Sequence, residues 1–250
     1  MSQLTWHEAR ELLTPRTVAL LPTGAIEAHG PHLPLDTDVI IARETSRRAA
    51  ALLARRGDTA VILPHLAYGV SYVGTCFPGT MPLPANVHAE VVANVLISIA
   101  KQGPTRLAIV NAHLEPAHVT ALATGAVTAH RETSAVIALP DQREERWAAT
   151  LSDEFRRGAR HAGSYETSLM LAATPHAVRR DVLPHLEPVW VDLPARLNEG
   201  ARSFAEAGGT DGYFGDPARA SAAEGERLFD ALARMVVTTL DEATGTPSSG

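Results

Sequence analysis

Short apolar runs alternate along this chain with longer stretches in which apolar residues recur at helical spacing. Val18-Ala19-Leu20-Leu21 is a run of the first kind, and a strand is expected over residues 17–22. Similar runs predict strands at 60–64, 106–110 and 134–139. Between them, periodic stretches predict helices over 37–56, 86–102 and 116–131, and a further helix after Asp141, where Asp141 and Glu144 have the spacing of a capping box. An apolar helix is expected through Leu169-Met170-Leu171-Ala172, with Ser164 as its N-cap, and a long one over 218–242. Strand and helix in alternation predict an α/β fold: three layers, α/β/α, around a mostly parallel central sheet. We read residues 1–243 as one domain and 244–250 as a loose tail.

Two long connections interrupt this alternation. Residues 65–84 hold Tyr68-Gly69-Val70-Ser71-Tyr72 and Phe77-Pro78-Gly79-Thr80, which offer glycine for movement and aromatic surface to cover a substrate. Residues 184–215 hold Trp190, Asn198 and Gly208-Gly209-Thr210, and read equally well as a lid or as a subunit contact.

The candidate chemistry gathers just past the ends of strands. After the first strand comes Gly24-Ala25-Ile26-Glu27-Ala28-His29-Gly30-Pro31-His32-Leu33-Pro34-Leu35-Asp36-Thr37-Asp38, too rich in glycine and proline to continue as sheet or helix. It presents Glu27, His29 and Asp38 on one turn, and Zn²⁺, Mn²⁺ and Fe²⁺ all accept such mixed ligands. Each residue alone has a plainer reading: Glu27 as a cap, His29 as a loop histidine, Asp38 as a charge favoured by a helix dipole. His32, between prolines, reads as a turn-bonding histidine. The 106–110 strand empties into Asn111-Ala112-His113-Leu114-Glu115-Pro116, and His161-Ala162-Gly163-Ser164-Tyr165-Glu166-Thr167-Ser168 again sets a histidine and a glutamate at an element's edge. In open parallel sheets, ligands bind outside the carboxyl ends of strands. Glu27, His29, His113 and Glu115 therefore belong on one rim, and a shared metal centre explains three such edges better than coincidence.

With these motifs the chain resembles the creatininase family of metal-dependent amidohydrolases. The likeness runs through residues 24–38, 111–115 and 161–168 and a late Gly215-Asp216-Pro217 with Ala220, Ala223 and Gly225. It implies a two-metal centre of Zn²⁺, Mn²⁺ or Fe²⁺ with Glu27, His29, Asp38, His113 and Glu166 as ligands and Asp38 bridging. Glu115 would be a further ligand or a proton carrier, and His161 would serve the leaving group or intermediate. The implied reaction is hydrolysis of a small, linear or cyclic amide by a metal-bridging hydroxide. The same centre would open a lactone or cleave a peptide, and a non-catalytic metabolite-binding relative is the reading from another class. The family also implies a closed homo-oligomer, a hexamer favoured. Leu114 departs from creatininase itself, which has an aromatic residue there, and Trp6, Trp147 and Trp190 offer no evident counterpart to its substrate-covering aromatics. Creatinine is therefore not carried over as the substrate.

Composition narrows the classes further. The 250 residues are 45% hydrophobic, enough for one large core. No apolar run nears the roughly 18 residues that span a bilayer, and the start lacks the basic and apolar regions of a signal peptide. Cys76 is the only cysteine, which excludes an intrachain disulfide and points to a reducing cytoplasm. A formal charge of -6 with scattered arginines argues against a nucleic-acid surface. No Gly-x-Ser-x-Gly elbow and no phosphate-cradling loop supports a serine hydrolase or a nucleotide hydrolase. The expected partner is a small-molecule substrate.

Overall fold

The computed structural model describes residues 1–245. Four strands, Val18–Thr23 (β1), Ala60–Ile62 (β2), Arg106–Asn111 (β3) and Val136–Ala138 (β4), form one sheet in the order β2-β1-β3-β4, and every neighbouring pair is parallel. The helices are Trp6–Leu12 (α1), Thr37–Arg55 (α2), Ala85–Ala100 (α3), Pro116–Thr133 (α4), Glu145–Ala148 (α5), Asp153–Arg156 (α6), Ser164–Ala173 (α7), Leu193–Asn198 (α8), Phe204–Ala207 (α9) and Ala222–Thr244 (α10).

Strand parity divides the core. Side chains alternate between the faces of a strand, so Val18 and Leu20 of β1 join Ala108 and Val110 of β3 against Ala49 and Leu53 of α2 and Val236 and Leu240 of α10. Ala19 and Leu21, with Leu107 and Ile109, pack instead on Val92 and Leu96 of α3 and Leu122 of α4. All six residues of β1 are buried, as expected of a strand covered on both faces. This is the three-layer α/β/α architecture read from the sequence.

Several boundaries differ from the expectation, each for a local reason. The helix after Asp141 shrinks to the four residues of α5, because the Asp141 carboxylate bonds the Arg143 amide and guanidinium and makes no capping box with Glu144. Gly163, not Ser164, is the N-cap of α7. The last helix begins at Ala222 because the Ser221 hydroxyl caps it by accepting from the Glu224 amide, while Pro217–Arg219 form a separate 3-10 turn. At its other end α10 runs through Thr244 and closes on Gly245 at φ 65°; of the tail expected over 244–250, residues 246–250 lie outside the described residues.

The contact between α7 and α10 rests on a glycine. A Cβ on Gly225 would overlap the Ser168 carbonyl oxygen of α7, a backbone atom that cannot swing aside. Alanine is the better helix former by about 1 kcal/mol, yet overpacking of this kind costs about 1–3 kcal/mol. Gly225→Ala is therefore expected to lower the thermal midpoint by several degrees. A melt at or above wild type would show that the helices separate freely.

Candidate metal centre

The β1–β3 register sets the site. Val18 pairs with Arg106 and Thr23 with Asn111, so the two strands end level, and the Thr23 hydroxyl donates to Asn111 Oδ1 at 3.2 Å. The segments bearing Glu27, His29 and His113 thus leave the sheet from adjacent points. Asp38 meets them from the first turn of α2, where the helix dipole favours a negative charge. Gly24 permits that approach, since a Cβ there would lie 2.6 Å from Asp38 Cβ. Glu166 arrives from the first turn of α7, with Oε2 accepting the Ala162 amide at 2.6 Å.

Three groups of metal-compatible side chains result, with the ligand atoms of each within 4.8 Å of one another: Glu27, Asp38 and His113; His29, Asp38 and Glu166; and Glu27, His29 and His161. His113 Nδ1 lies 3.0 Å from Glu27 Oε1 and 3.1 Å from Asp38 Oδ2. His29 Nε2 lies 3.3 Å from Asp38 Oδ1 and 3.7 Å from Glu166 Oε2. Asp38 therefore turns one oxygen to each histidine. All six residues are buried.

Backbone carbonyls orient the imidazoles. His29 Nδ1 donates to the Glu27 carbonyl at 3.1 Å, His113 Nε2 to Val70 at 2.8 Å, and His161 Nε2 to Ala28 at 2.8 Å. Each ring must spend a proton on its carbonyl, which leaves the other nitrogen as a lone pair facing carboxylate oxygens. Acceptor facing acceptor is repulsive unless a proton or a cation lies between. His29 Nε2 is buried with no hydrogen-bond partner.

A further relay braces His113. Val70 donates its amide to His118 Nδ1 at 3.2 Å, and His118 Nε2 donates to Asn111 Oδ1 at 3.0 Å. That oxygen also accepts the His113 amide at 3.1 Å. Burial, and then His113, hold His118 well below its usual pKa, in keeping with a neutral ring.

The electrostatics describe the same demand for positive charge. Burial pushes the Glu27 carboxyl up, but His113 outweighs it and holds the group at about 2. The same contest, won by His29 and His113, lowers Asp38. Burial raises Glu166 to about 8, with Asp38 and Glu27 adding to it against the pull of His29. Burial opposes protonation of His29, yet Asp38 and Glu166 lift it to about 10, and His113 rises likewise beside Glu27 and Asp38. Three carboxyl groups at one buried point, faced by imidazole nitrogens that hold protons where cations would sit, are a donor set suited to divalent cations.

Glu115 stands apart from the three groups. Its oxygens each accept a backbone amide of the 65–84 connection, Tyr72 and Val73, at 3.1 Å, and burial raises its pKa. It lines the same cavity of about 260 Å³ as Glu27, Asp38, His113, His161 and Glu166. Burial, and then His29, lower the His161 ring from an imidazole's ordinary near-neutral pKa to about 4. His32 donates or accepts at Thr167 Oγ1, 2.9 Å away, and so ties the first motif to α7.

The long connections also differ from expectation. Tyr68 and Tyr72 are exposed and do not line the cavity. Their loop acts as scaffold instead: Ser71 donates to Glu27 Oε2 at 2.5 Å, and Val70 holds both His113 and His118. The 184–215 connection builds cavity wall through Leu193, Pro194, Leu197, Asn198 and Phe204. Phe204 stacks on the His161 ring, with centroids 4.1 Å apart at 25°. Trp6 and Trp190 are exposed, and Trp147 packs against the core around α7 and α10, so none covers the site. Phe204, Arg143 and Arg160 line the cavity without having been singled out in the sequence, where no motif marks them.

Residues 2–240 match the family Creatininase, described as creatinine amidohydrolase. The chain belongs to the creatininase family. Among its relatives, the mycofactocin precursor peptide peptidase of Mycolicibacterium smegmatis is 32% identical over 231 residues, covering 91% of this chain and 86% of that protein. The creatinine amidohydrolase of Pseudomonas putida is 30% identical over 240 residues, covering 83% and 89%. A solved structure described as "Creatininase Mn" superposes with a TM-score of 0.76 at 24% identity, covering 97% of each chain. The chain is thus a creatininase-family hydrolase with the family's fold. No helix among the described residues is long and apolar enough to cross a membrane.

Proposed function

We propose that this creatininase-family hydrolase is metal-dependent and cleaves the C–N bond of an amide in a small molecule or at the end of a short peptide. The observation that carries the reading is the pair of ligand groups sharing Asp38, with His29 Nε2 of the second group buried and without a hydrogen-bond partner among the described residues. Glu27, Asp38 and His113 would hold one divalent ion, and His29, Asp38 and Glu166 a second. When bound, such ions lower the pKa of a water toward neutrality and polarise a carbonyl. The chain's own residues supply the rest. Glu115, fixed by two backbone amides and raised by burial, takes the proton of the attacking water and returns it to the departing nitrogen. His161 offers a neutral Nδ1 as an acceptor beside the reacting carbon, its orientation set by Ala28 and Phe204. The cavity suits a metabolite or the end of a peptide, not a folded protein. Names in the family span a peptidase and a creatinine amidohydrolase, both of which cleave C–N bonds.

The test is metal analysis joined to a hydrolase panel. Protein reconstituted with Zn²⁺, Mn²⁺ or Fe²⁺ is expected to hold up to two ions per chain, and to lose hydrolysis of short acyl peptides or small amides in chelator and regain it on metal return. Creatinine should be turned over poorly, since Leu114 and one phenylalanine line the cavity where broader aromatic cover is absent among the lining residues. Failure to retain any ion after reconstitution would sink the reading. The working form we propose is a cytoplasmic homo-oligomer, a hexamer favoured, supported by the single cysteine and by exposed Trp6, Tyr68, Tyr72 and Trp190 as surface for subunits to cover. Light scattering on the eluted protein gives the subunit count directly.

A further inference from the structure

The cavity that holds the centre also contains two arginines, Arg143 and Arg160, and they are not equivalent. Arg143 is closed on Asp141, its Nε 2.9 Å from Oδ1 and its Nη2 2.7 Å from Oδ2. Arg160 is half-buried and has no carboxylate oxygen within 4 Å among the described residues. Its Nε donates to the Phe155 carbonyl at 2.9 Å, and the guanidinium carbon sits 4.6 Å from the Phe155 ring centroid. One edge is thereby anchored and stacked while the terminal nitrogens make no hydrogen bond to any of the described residues. Asp192 gives Arg160 its largest electrostatic relief, yet its Oδ1 is engaged as the N-cap of α8 by the Ala195 amide at 3.1 Å. Burial, and then the charge of Arg143, lower the Arg160 pKa against the pull of Asp192 and Asp141.

A half-buried cation without a counter-ion is costly to keep. Here it is held rigid beside an apolar wall of Leu193, Pro194, Leu197 and Phe204, immediately before His161 in the chain. A fixed guanidinium presents parallel N–H groups that pair with a carboxylate through two charge-assisted hydrogen bonds, and the apolar wall beside it suits an amino-acid side chain. We propose that Arg160, flanked by Arg143, is a specificity residue that anchors a free carboxylate of the substrate, so that this enzyme acts on amides whose leaving half ends in an acid. The proposal rests on the amide-hydrolase reading of the site. The carboxylate belongs either to the C-terminus of a peptide or to an N-acylamino acid, and an apolar side chain next to it would lie along the leucine and proline wall.

Binding separates this proposal from catalysis. The probe is a reduced-amide analogue of acetylglycyl-leucine, which cannot be hydrolysed, prepared as the free acid and as the C-terminal amide and titrated calorimetrically into the full-length, metal-loaded protein. The free acid is expected to bind about ten- to a hundredfold tighter, the value of a charge-assisted hydrogen-bonded pair. Arg160→Leu should erase that preference while leaving amide affinity, metal content and melting temperature near wild type. Should the leucine variant not fold, Arg160→Gln, a shorter polar side chain that keeps an NH₂ donor but not the charge, decides the matter by the same loss of preference. A matching analogue of N-acetyl-leucine assigns the source: weaker binding than the dipeptide probe points to a peptide end, equal binding to an acylamino acid. No preference in the wild type, or a preference that survives both variants, overturns the proposal, the latter by placing the carboxylate on the metals or elsewhere. If the acid preference holds but no amide in the panel is hydrolysed, the subsite stands and the amide-hydrolase reading fails.

Discussion

Asp38→Asn is expected to purify without bound divalent ions and without measurable hydrolysis, however much zinc or manganese is supplied. Asp38 is the one residue common to the two ligand groups assigned to the ions, with Oδ2 3.1 Å from His113 Nδ1 and Oδ1 3.3 Å from His29 Nε2. An asparagine of the same shape removes the charge that both histidines face and must turn its amide nitrogen toward one of them. Even residues that merely brace a ligand are worth 10- to 100-fold in metal affinity, so a shared ligand should be worth far more. The lost carbonyl polarisation amounts to several kcal/mol, a fall in rate of at least about 10³. The fold should survive, because Asp38 lies at the start of α2, where Asn can still accept the Ala25 amide that Oδ2 now takes at 3.3 Å. A melting curve near wild type with an empty metal analysis is the predicted pair of results. Two ions retained at wild-type affinity would remove Asp38 from its bridging place.

Much of this site was legible because the fold brings its motifs together by rules the sequence obeys. An apolar run with no polar interruption marked β1 as a central strand, and parallel strands open their ligand sites at one end. Glu27, His29 and His113 followed from that, and the level ends of β1 and β3 are what bring them into contact. Local competition was less legible. Asp141 has the spacing for a cap and yet binds Arg143, because a bidentate guanidinium two residues away offers more than one amide does. Nothing in the 184–215 connection carries a period, so its supply of Phe204 and Leu197 to the cavity depends on tertiary packing alone. The same holds for Arg160, whose missing counter-ion is a property of its surroundings and not of its neighbours in sequence. The titration of His161 is illegible in sequence for the same reason: an imidazole's ordinary pKa says nothing of a ring that is buried 4.4 Å from a second histidine.

His161→Ala is expected to keep its metals and to lose about 10²- to 10⁴-fold in kcat, the range of a lost general acid or base. The geometry separates it from Asp38. The ring approaches the ligands only through Nδ1, 3.7 Å from Glu27 Oε1, while Asp38 with a histidine and a glutamate on either side completes both ion sites without it. Its Nε2–H is spent on the Ala28 carbonyl, and Phe204 fixes its plane, so it is built to present one lone pair in one direction. Glu115→Gln should fall between the two variants, with partial metal loss and a deep loss of kcat. Its oxygens face the Tyr72 and Val73 amides, and a glutamine would set an NH₂ against one of them, loosening the loop that also holds His113 through Val70. Metal content is therefore the deciding readout beside kcat. Should His161→Ala shed its ions, the third group of Glu27, His29 and His161 is a true coordination site and His161 a ligand; should Glu115→Gln keep full activity, the proton path runs through another group.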